Sequence, residues 1–251
     1  MTRLSVNVNK VATLRNSRGG RVPGLLDAVE VCVRAGAPGI TVHPRADRRH
    51  ITPDDTRAVA AALAGRTPHV EYNIEGDPRP ELLEMVRALR PDQCTLVPVT
   101  PGELTSHVGW GPGPQSAGVP EVVRDLRERG VRVSLFVEPA AEAVRWAAEA
   151  GADRVELYTE PYARACERGA AEGLRSYETF VAAAELAHQL GLGVNAGHDL
   201  DLENLVLFRE LPYLEEVSIG HALMSRALFE GLEKVVREYL AVLGGAARAP
   251  V

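Results

Sequence analysis

The sequence predicts an α/β fold, a (β/α)8 TIM barrel with extra helices. Three observations carry this expectation. Short apolar runs alternate with stretches of helical period eight times along the chain. Glycine recurs just past the ends of the helical stretches. The length, 251 residues, suits eight such units. Strand–helix alternation requires parallel strands joined by crossover helices. An open doubly wound sheet is the alternative, but it normally carries a phosphate loop after its first strand. Neither GxGxxG nor GxxxxGK[ST] occurs here. No linker or shift of composition divides the chain, so residues 1–251 are read as a single barrel domain.

The strands are expected at Leu4–Asn9, Gly39–His43, His69–Asn73, Gln93–Val97, Arg132–Val137, Arg154–Tyr158, Gly193–Asn195 and Glu216–Ile219. Each is short and rich in Val, Ile or Leu, as strands covered on both faces are. Between them, Leu25-Leu26-x-x-Val29-x-x-Cys32-Val33, Val122-Val123-x-x-Leu126 and Ala140–Ala150 have the spacing of amphipathic helices. The joints Arg34-Ala35-Gly36-Ala37, Arg129-Gly130-Val131, Glu149-Ala150-Gly151-Ala152 and Leu190-Gly191-Leu192 place glycine where a helix stops. Three segments exceed the minimal barrel: a loop over Asn16–Pro23, a Gly- and Pro-rich loop over Pro98–Pro120, and a short extra helix over Pro161–Arg175. The tail, Gly244–Val251, is expected to fray.

Composition excludes several function classes. The chain is 45% hydrophobic and 25% charged, an ordinary globular profile. A net charge of −6 argues against nucleic acid and against acidic membrane surfaces as partners. The start, Met1-Thr2-Arg3-Leu4-Ser5-Val6-Asn7, lacks the apolar core of a secretory signal, and no apolar run reaches the ~18 residues of a membrane helix. A cytoplasmic location is expected. Cys32, Cys94 and Cys166 are odd in number and far apart, which reads as reduced, buried thiols.

Chemistry in such barrels gathers at the C-terminal strand ends. The first strand delivers Asn7, Asn9 and Lys10; the second His43, Arg45 and His50; the third Glu71 and Asn73. The fifth and sixth give Glu138 and Glu156, read as supporting partners. The seventh ends in Val194-Asn195-Ala196-Gly197-His198, a sharp turn after which Asp199 suits the N-cap of a helix starting at Leu200. The eighth gives Gly220 and His221, whose backbone N–H groups open a helix and offer an anion site. Arg15 and Arg18 flank Asn16-Ser17 on a loop suited to clamping phosphate. Glu71, expected to point into or over the barrel mouth, is the candidate general base, with a structural ion pair as the alternative. No HxH or HExxH spacing points to a metal.

Four stretches resemble the pyridoxine 5′-phosphate synthase family. They are Val6-Asn7-Val8-Asn9-Lys10-Val11-Ala12-Thr13-Leu14-Arg15-Asn16-Ser17-Arg18-Gly19, Gly39-Ile40-Thr41-Val42-His43-Pro44-Arg45-Ala46-Asp47-Arg48-Arg49-His50-Ile51-Thr52, Val194-Asn195-Ala196-Gly197-His198 and Ile219-Gly220-His221-Ala222. The resemblance implies a (β/α)8 barrel with extra helices, a homooctamer, and no metal or organic cofactor. It implies condensation of 3-amino-2-oxopropyl phosphate with 1-deoxy-D-xylulose 5-phosphate to pyridoxine 5′-phosphate, phosphate and water. Carried over by residue, it makes His43 and Glu71 proton acceptors and His198 a proton donor. Asn7, Arg18, Asp199, Gly220 and His221 would hold the aminoketone phosphate. Arg45, His50 and Thr105 would hold the deoxyxylulose phosphate, joined by Asn9 and Lys10. The chain departs from the family at three places: Asn9-Lys10 stands for Asp-His, Asp199 for Gly, and Tyr158 for a His.

Two other functions compete. A phosphosugar isomerase or epimerase would need only one phosphate site, whereas the sequence has two clusters. A vitamin-phosphate binder would need no proton-transfer groups.

Overall fold

The structure, a computed structural model, describes residues 2–98 and 108–245. Eight parallel strands pair in chain order, and the last closes on the first. They are β1 (Arg3–Asn7), β2 (Gly39–Val42), β3 (Glu71–Gly76), β4 (Gln93–Leu96), β5 (Arg132–Val137), β6 (Arg154–Tyr158), β7 (Gly193–Gly197) and β8 (Leu214–Ile219). The helices are α1 (Asn9–Asn16), α2 (Leu25–Arg34), α3 (Pro53–Leu63), α4 (Pro80–Leu89), α5 (Val119–Glu128), α6 (Ala141–Glu149), α7 (Glu160–Arg168), α8 (Ala170–Gln189), α9 (Leu205–Phe208), α10 (His221–Glu230) and α11 (Leu232–Leu243). The expected (β/α)8 barrel with extra helices is therefore what the chain forms.

Local chemistry explains the boundaries. Thr52 and Asp55 close a capping box on α3, with Pro53 at its first position. Gly130 and Gly151 end their helices in the left-handed region, at φ of 81° each. Cys32 and Cys94 are buried free thiols, pushed up to about 12 by burial; Cys166, also free, is part-exposed.

Along each strand the side chains alternate in direction. The outward set is apolar: Leu4, Val6, Ile40, Ile74, Cys94, Leu135 and Val155 are fully buried against the helices. The inward set is polar, where such barrels are usually filled by branched aliphatics. Ser5, Thr41, Asn73, Thr95, Glu156, Asn195 and Glu216 are all buried there. They satisfy one another: Ser5 with Thr41 at 2.7 Å, Asn73 to Thr41 at 3.2 Å, Thr95 to Asn73 at 3.1 Å, and Gln93 to Glu216 at 3.4 Å. Polar groups taken out of water need such partners.

Four expectations change. The first strand stops at Asn7, and Asn9 and Lys10 open α1 instead of ending the strand. The third strand starts at Glu71 and runs on to Gly76, so its mouth end carries Glu75. No helix starts at Leu200; the helix that follows β7 is the four-residue α9. The Pro161–Arg175 segment holds most of α7 and the first turns of the long α8.

Candidate active site

The residues at the C-terminal strand ends converge on one mouth. β2 leads directly into His43, which is 8% exposed. Its backbone N–H donates to the Asn9 side-chain oxygen at 2.9 Å, and the Asn9 N–H donates to Asn7 Oδ1 at 3.1 Å. Asn7 Nδ2 donates onward to Glu75 Oε2 at 3.3 Å. Asparagine at position 9 thus retains an acceptor for the histidine loop. Glu75 Oε2 lies 3.9 Å from His43 Nδ1, and Ser218 Oγ donates to Glu75 Oε1 at 3.3 Å.

Electrostatics keep this pair neutral. Burial first, then the Glu216 charge, pushes the Glu75 carboxyl up to about 8, against the Ser218 hydrogen bond. Burial first, then the nearby His50, Arg45, Arg79 and His198, holds His43 well below the usual histidine range. His43 Nε2 is buried with no hydrogen-bond partner among the described residues. Glu156 sits deeper, raised well above the carboxylate range by burial first and then by the neighbouring Glu75 and Glu216 carboxyls, which disfavour a further negative charge.

His198 follows β7 on the opposite wall. Its ring lies 5.4 Å from each of Phe136 and Tyr158. Gly197 just before it leaves room for the Glu156 carboxyl, whose Oε1 would crowd a Cβ placed there. His198 and Asp199 have φ of 84° and 54°, two consecutive left-handed residues. Asp199 therefore caps no helix; Asp201 Oδ1 instead accepts the N–H groups of Glu203 and Asn204, at 2.8 Å each. Gly220 lies beside Asn7, whose Cβ would be 3.1 Å from a Cβ placed on the glycine. His221 opens α10 and is exposed.

A second cluster lies beside His43. The His50 ring is 6.1 Å from it, edge to face. His50 Nδ1 accepts the Ile51 N–H at 2.9 Å, leaving Nε2 as the donor. Burial, with Arg45 and Lys10 adding, lowers His50 to about 4. Arg45 is buried, and its Nε is 3.7 Å from Asp47. Lys10 is exposed on the first turn of α1, and its charge reaches His50. Arg18 is exposed on the turn after α1. Thr105 lies outside the described residues.

Glu71 is not part of this assembly. It begins β3 at the opposite, N-terminal end of the barrel, paired with Arg3 and Arg132. Glu71, Asn73 and Glu75 share the inward face at two-residue spacing; the longer strand brings Glu75 to the mouth. Arg15 is not a phosphate clamp either. Its guanidinium pairs bidentately with Asp55 at 2.6 and 2.8 Å. Glu138 is exposed. Trp110 is buried, its indole N–H donating to the Leu96 carbonyl at 3.0 Å, which pins that part of the Pro98–Pro120 loop to the barrel rim. Among the described residues, no group of three or more His, Cys, Asp or Glu is placed to hold a metal ion.

Comparison with known proteins places nearly the whole chain in one family. Residues 4–245 match the family model of the pyridoxal phosphate biosynthesis protein PdxJ. The chain is 49% identical over 240 residues to pyridoxine 5′-phosphate synthase of Porphyromonas gingivalis, covering 95% of this chain and 98% of that one. It is 47% identical over 253 residues to the protein of the same name from Leptospira biflexa, covering 97% of each. Among solved structures, tryptophan synthase from M. tuberculosis superposes with a TM-score of 0.63 at 14% identity, over 96% of this chain and 93% of that one. A 4-hydroxy-2-oxoglutarate aldolase superposes with a TM-score of 0.60 at 19% identity, over 96% and 93%. These structural likenesses concern the barrel alone.

Proposed function

The chain belongs to the PdxJ family of pyridoxal phosphate biosynthesis proteins, and from that membership we infer that it is an enzyme making pyridoxine 5′-phosphate. Its substrates on this reading are 3-amino-2-oxopropyl phosphate and 1-deoxy-D-xylulose 5-phosphate, and phosphate and water are the other products. The observation that carries the chemical reading is the neutral pair of Glu75 and His43 facing His198 across one mouth.

Joining the amine of one substrate to the carbonyl of the other expels water. Elimination of phosphate and ring closure then move further protons. A carboxyl pushed up to about 8 can both give and take a proton near neutral pH, as repeated proton transfer requires. His43, held neutral by burial, serves as a base. His198, on the opposite wall, serves as the donor. Glu75 takes the role expected of Glu71, because it alone of the two stands at the mouth. Glu156, kept protonated next to Gly197, is a further carboxyl that can donate a hydrogen bond on this reading.

Two phosphates need two sites. The helix start at Gly220-His221, with Asn7, Asp199 and Arg18, is assigned the aminoketone phosphate. Arg45 and His50, with Asn9, Lys10 and Thr105, are assigned the deoxyxylulose phosphate. Asp199 contributes through its backbone on this reading. Self-association as a homooctamer is part of the proposal, supported by the exposure of Val22, Leu228 and Phe229. A cytoplasmic location is also proposed, supported by the three free cysteines. Among the described residues no helix is long and apolar enough to cross a membrane.

The test is to mix both substrates with the purified protein and measure pyridoxine 5′-phosphate and released phosphate together. Formation of both in equal amounts is expected. Binding of both substrates without either product would favour a carrier instead.

A further inference from the structure

We propose that Thr159 is a positioning residue that holds His198 over the mouth by hydrogen-bonding the backbone carbonyls of Gly197 and His198. The inference rests on the assignment of His198 as proton donor.

His198 and Asp199 are consecutive non-glycine residues in the left-handed region. L residues enter that region at a cost, and they stay there only where the surroundings fix them. Thr159 supplies that constraint from one side. It is fully buried and follows directly on β6. Its backbone N–H donates to the Gly197 carbonyl at 3.0 Å, continuing the β6–β7 ladder by one rung. Its hydroxyl donates to the Gly197 carbonyl at 2.5 Å and also lies within bonding distance of the His198 carbonyl.

Asn204 supplies the constraint from the other side. Its Nδ2 donates to the Asp199 carbonyl at 3.1 Å, while its Oδ1 accepts the Asp201 N–H at 2.9 Å. Its own carbonyl is held by the Tyr162 hydroxyl at 2.7 Å. The two left-handed residues are thus fixed at both ends.

The consequence is geometric. The left-handed turn directs the His198 ring against Phe136 and Tyr158. Glu156 and Tyr158 lie on the strand that Thr159 terminates, and His198 follows the neighbouring strand. The hydroxyl therefore ties the end of β6, next to Tyr158, to the turn that carries His198. Its single proton is committed to backbone carbonyls, so Thr159 acts on the reaction only through His198.

Steady-state turnover with both substrates tests this in wild type, Thr159→Val and Thr159→Ser, with thermal unfolding recorded for each. Valine keeps the shape and removes the hydroxyl; serine keeps the hydroxyl and removes the methyl. Thr159→Val is expected to lose on the order of 10²-fold in kcat, with both KM values near wild type and a modestly lower unfolding temperature. Thr159→Ser is expected to recover most of that loss. Wild-type kcat in the valine variant overturns the proposal, as does an equal loss in the serine variant, or a loss that appears in KM and unfolding temperature instead. Should Thr159→Val not fold, Asn204→Asp carries the test. It keeps the acceptor for Asp201 and removes the donor to Asp199. A kcat-only loss is expected there, and an unchanged kcat overturns the proposal. Wild-type protein that makes no product overturns the synthase reading itself, an outcome distinct from an active wild type with an undiminished Thr159→Val.

Discussion

The Glu75 carboxyl lies beside the His43 imidazole at the mouth of the barrel, on the neighbouring strand, Oε2 to Nδ1 at 3.9 Å. Both groups are buried and held neutral. Four residues earlier on the same strand face, Glu71 is tied to Arg3 and Arg132 at the far end. Two glutamates with the same inward direction therefore have different work, set by their depth in the barrel.

Glu71→Gln is expected to keep turnover and lose stability. The substitution removes one counter-charge from Arg3 and Arg132; Glu216 stays 3.5 Å from Arg3 and both arginines are part-exposed, which limits the loss. A cost of about 1–3 kcal/mol follows. Chemical denaturation measures it; a loss of turnover without loss of stability would place Glu71 in the chemistry after all.

Arg15→Ala is expected to weaken the fold without touching substrate binding. Arg15 ties α1 to Asp55, which also closes the capping box of α3. Losing a bidentate charged pair costs about 1–3 kcal/mol. Unchanged KM for both substrates, with a lower unfolding midpoint, is the expected pattern; a large rise in either KM with normal stability would contradict it.

Stability should fall toward both ends of the pH range. The Glu75 pKa is raised from 4.5 to about 8. Between those values the folded chain keeps a proton that the unfolded chain has lost. Its contribution is full below 4.5 and is lost as pH rises through about 8. His50 is lowered from 6.5 to about 4, and His43 is lowered as well. Their contribution is full above 6.5 and is lost as pH falls through the folded values. Thermal unfolding against pH reads this directly. Glu75→Gln, neutral throughout, should hold its melting temperature on the alkaline side better than wild type; parallel alkaline curves would count against the raised carboxyl.

Gly197→Ala should lower activity, because its methyl group would push the buried Glu156 carboxyl out of place. A kinetic comparison with wild type checks this, and a variant of normal kcat would show that the turn tolerates a side chain.

The barrel was legible because its strands and its glycine-ended helices recur in register with a known unit. The polar lining was missed, although alternations such as Leu4-Ser5-Val6-Asn7 and Tyr72-Asn73-Ile74-Glu75 carry it. That pattern was subordinate to the overall apolar character of the strands. Glu71 was misplaced because period-two alternation fixes the face of a side chain and not its depth, and β3 runs three residues past the expected end at Asn73. Asp199 reads as a helix cap by residue type; only the backbone shows it in the left-handed region. Thr159 and Asn204 leave no mark in the sequence, because their role depends on carbonyls about 40 and 5 residues away along the chain.

The most direct measurement is the formation of pyridoxine 5′-phosphate, with matched phosphate release, by Glu75→Gln beside Glu71→Gln and wild type. Glu75→Gln is expected to fold, bind both substrates and lose on the order of 10²–10⁴-fold in turnover, while Glu71→Gln stays near wild type. Full turnover in Glu75→Gln, or a loss confined to Glu71→Gln, would contradict the placement of the chemistry at the His43–Glu75 mouth.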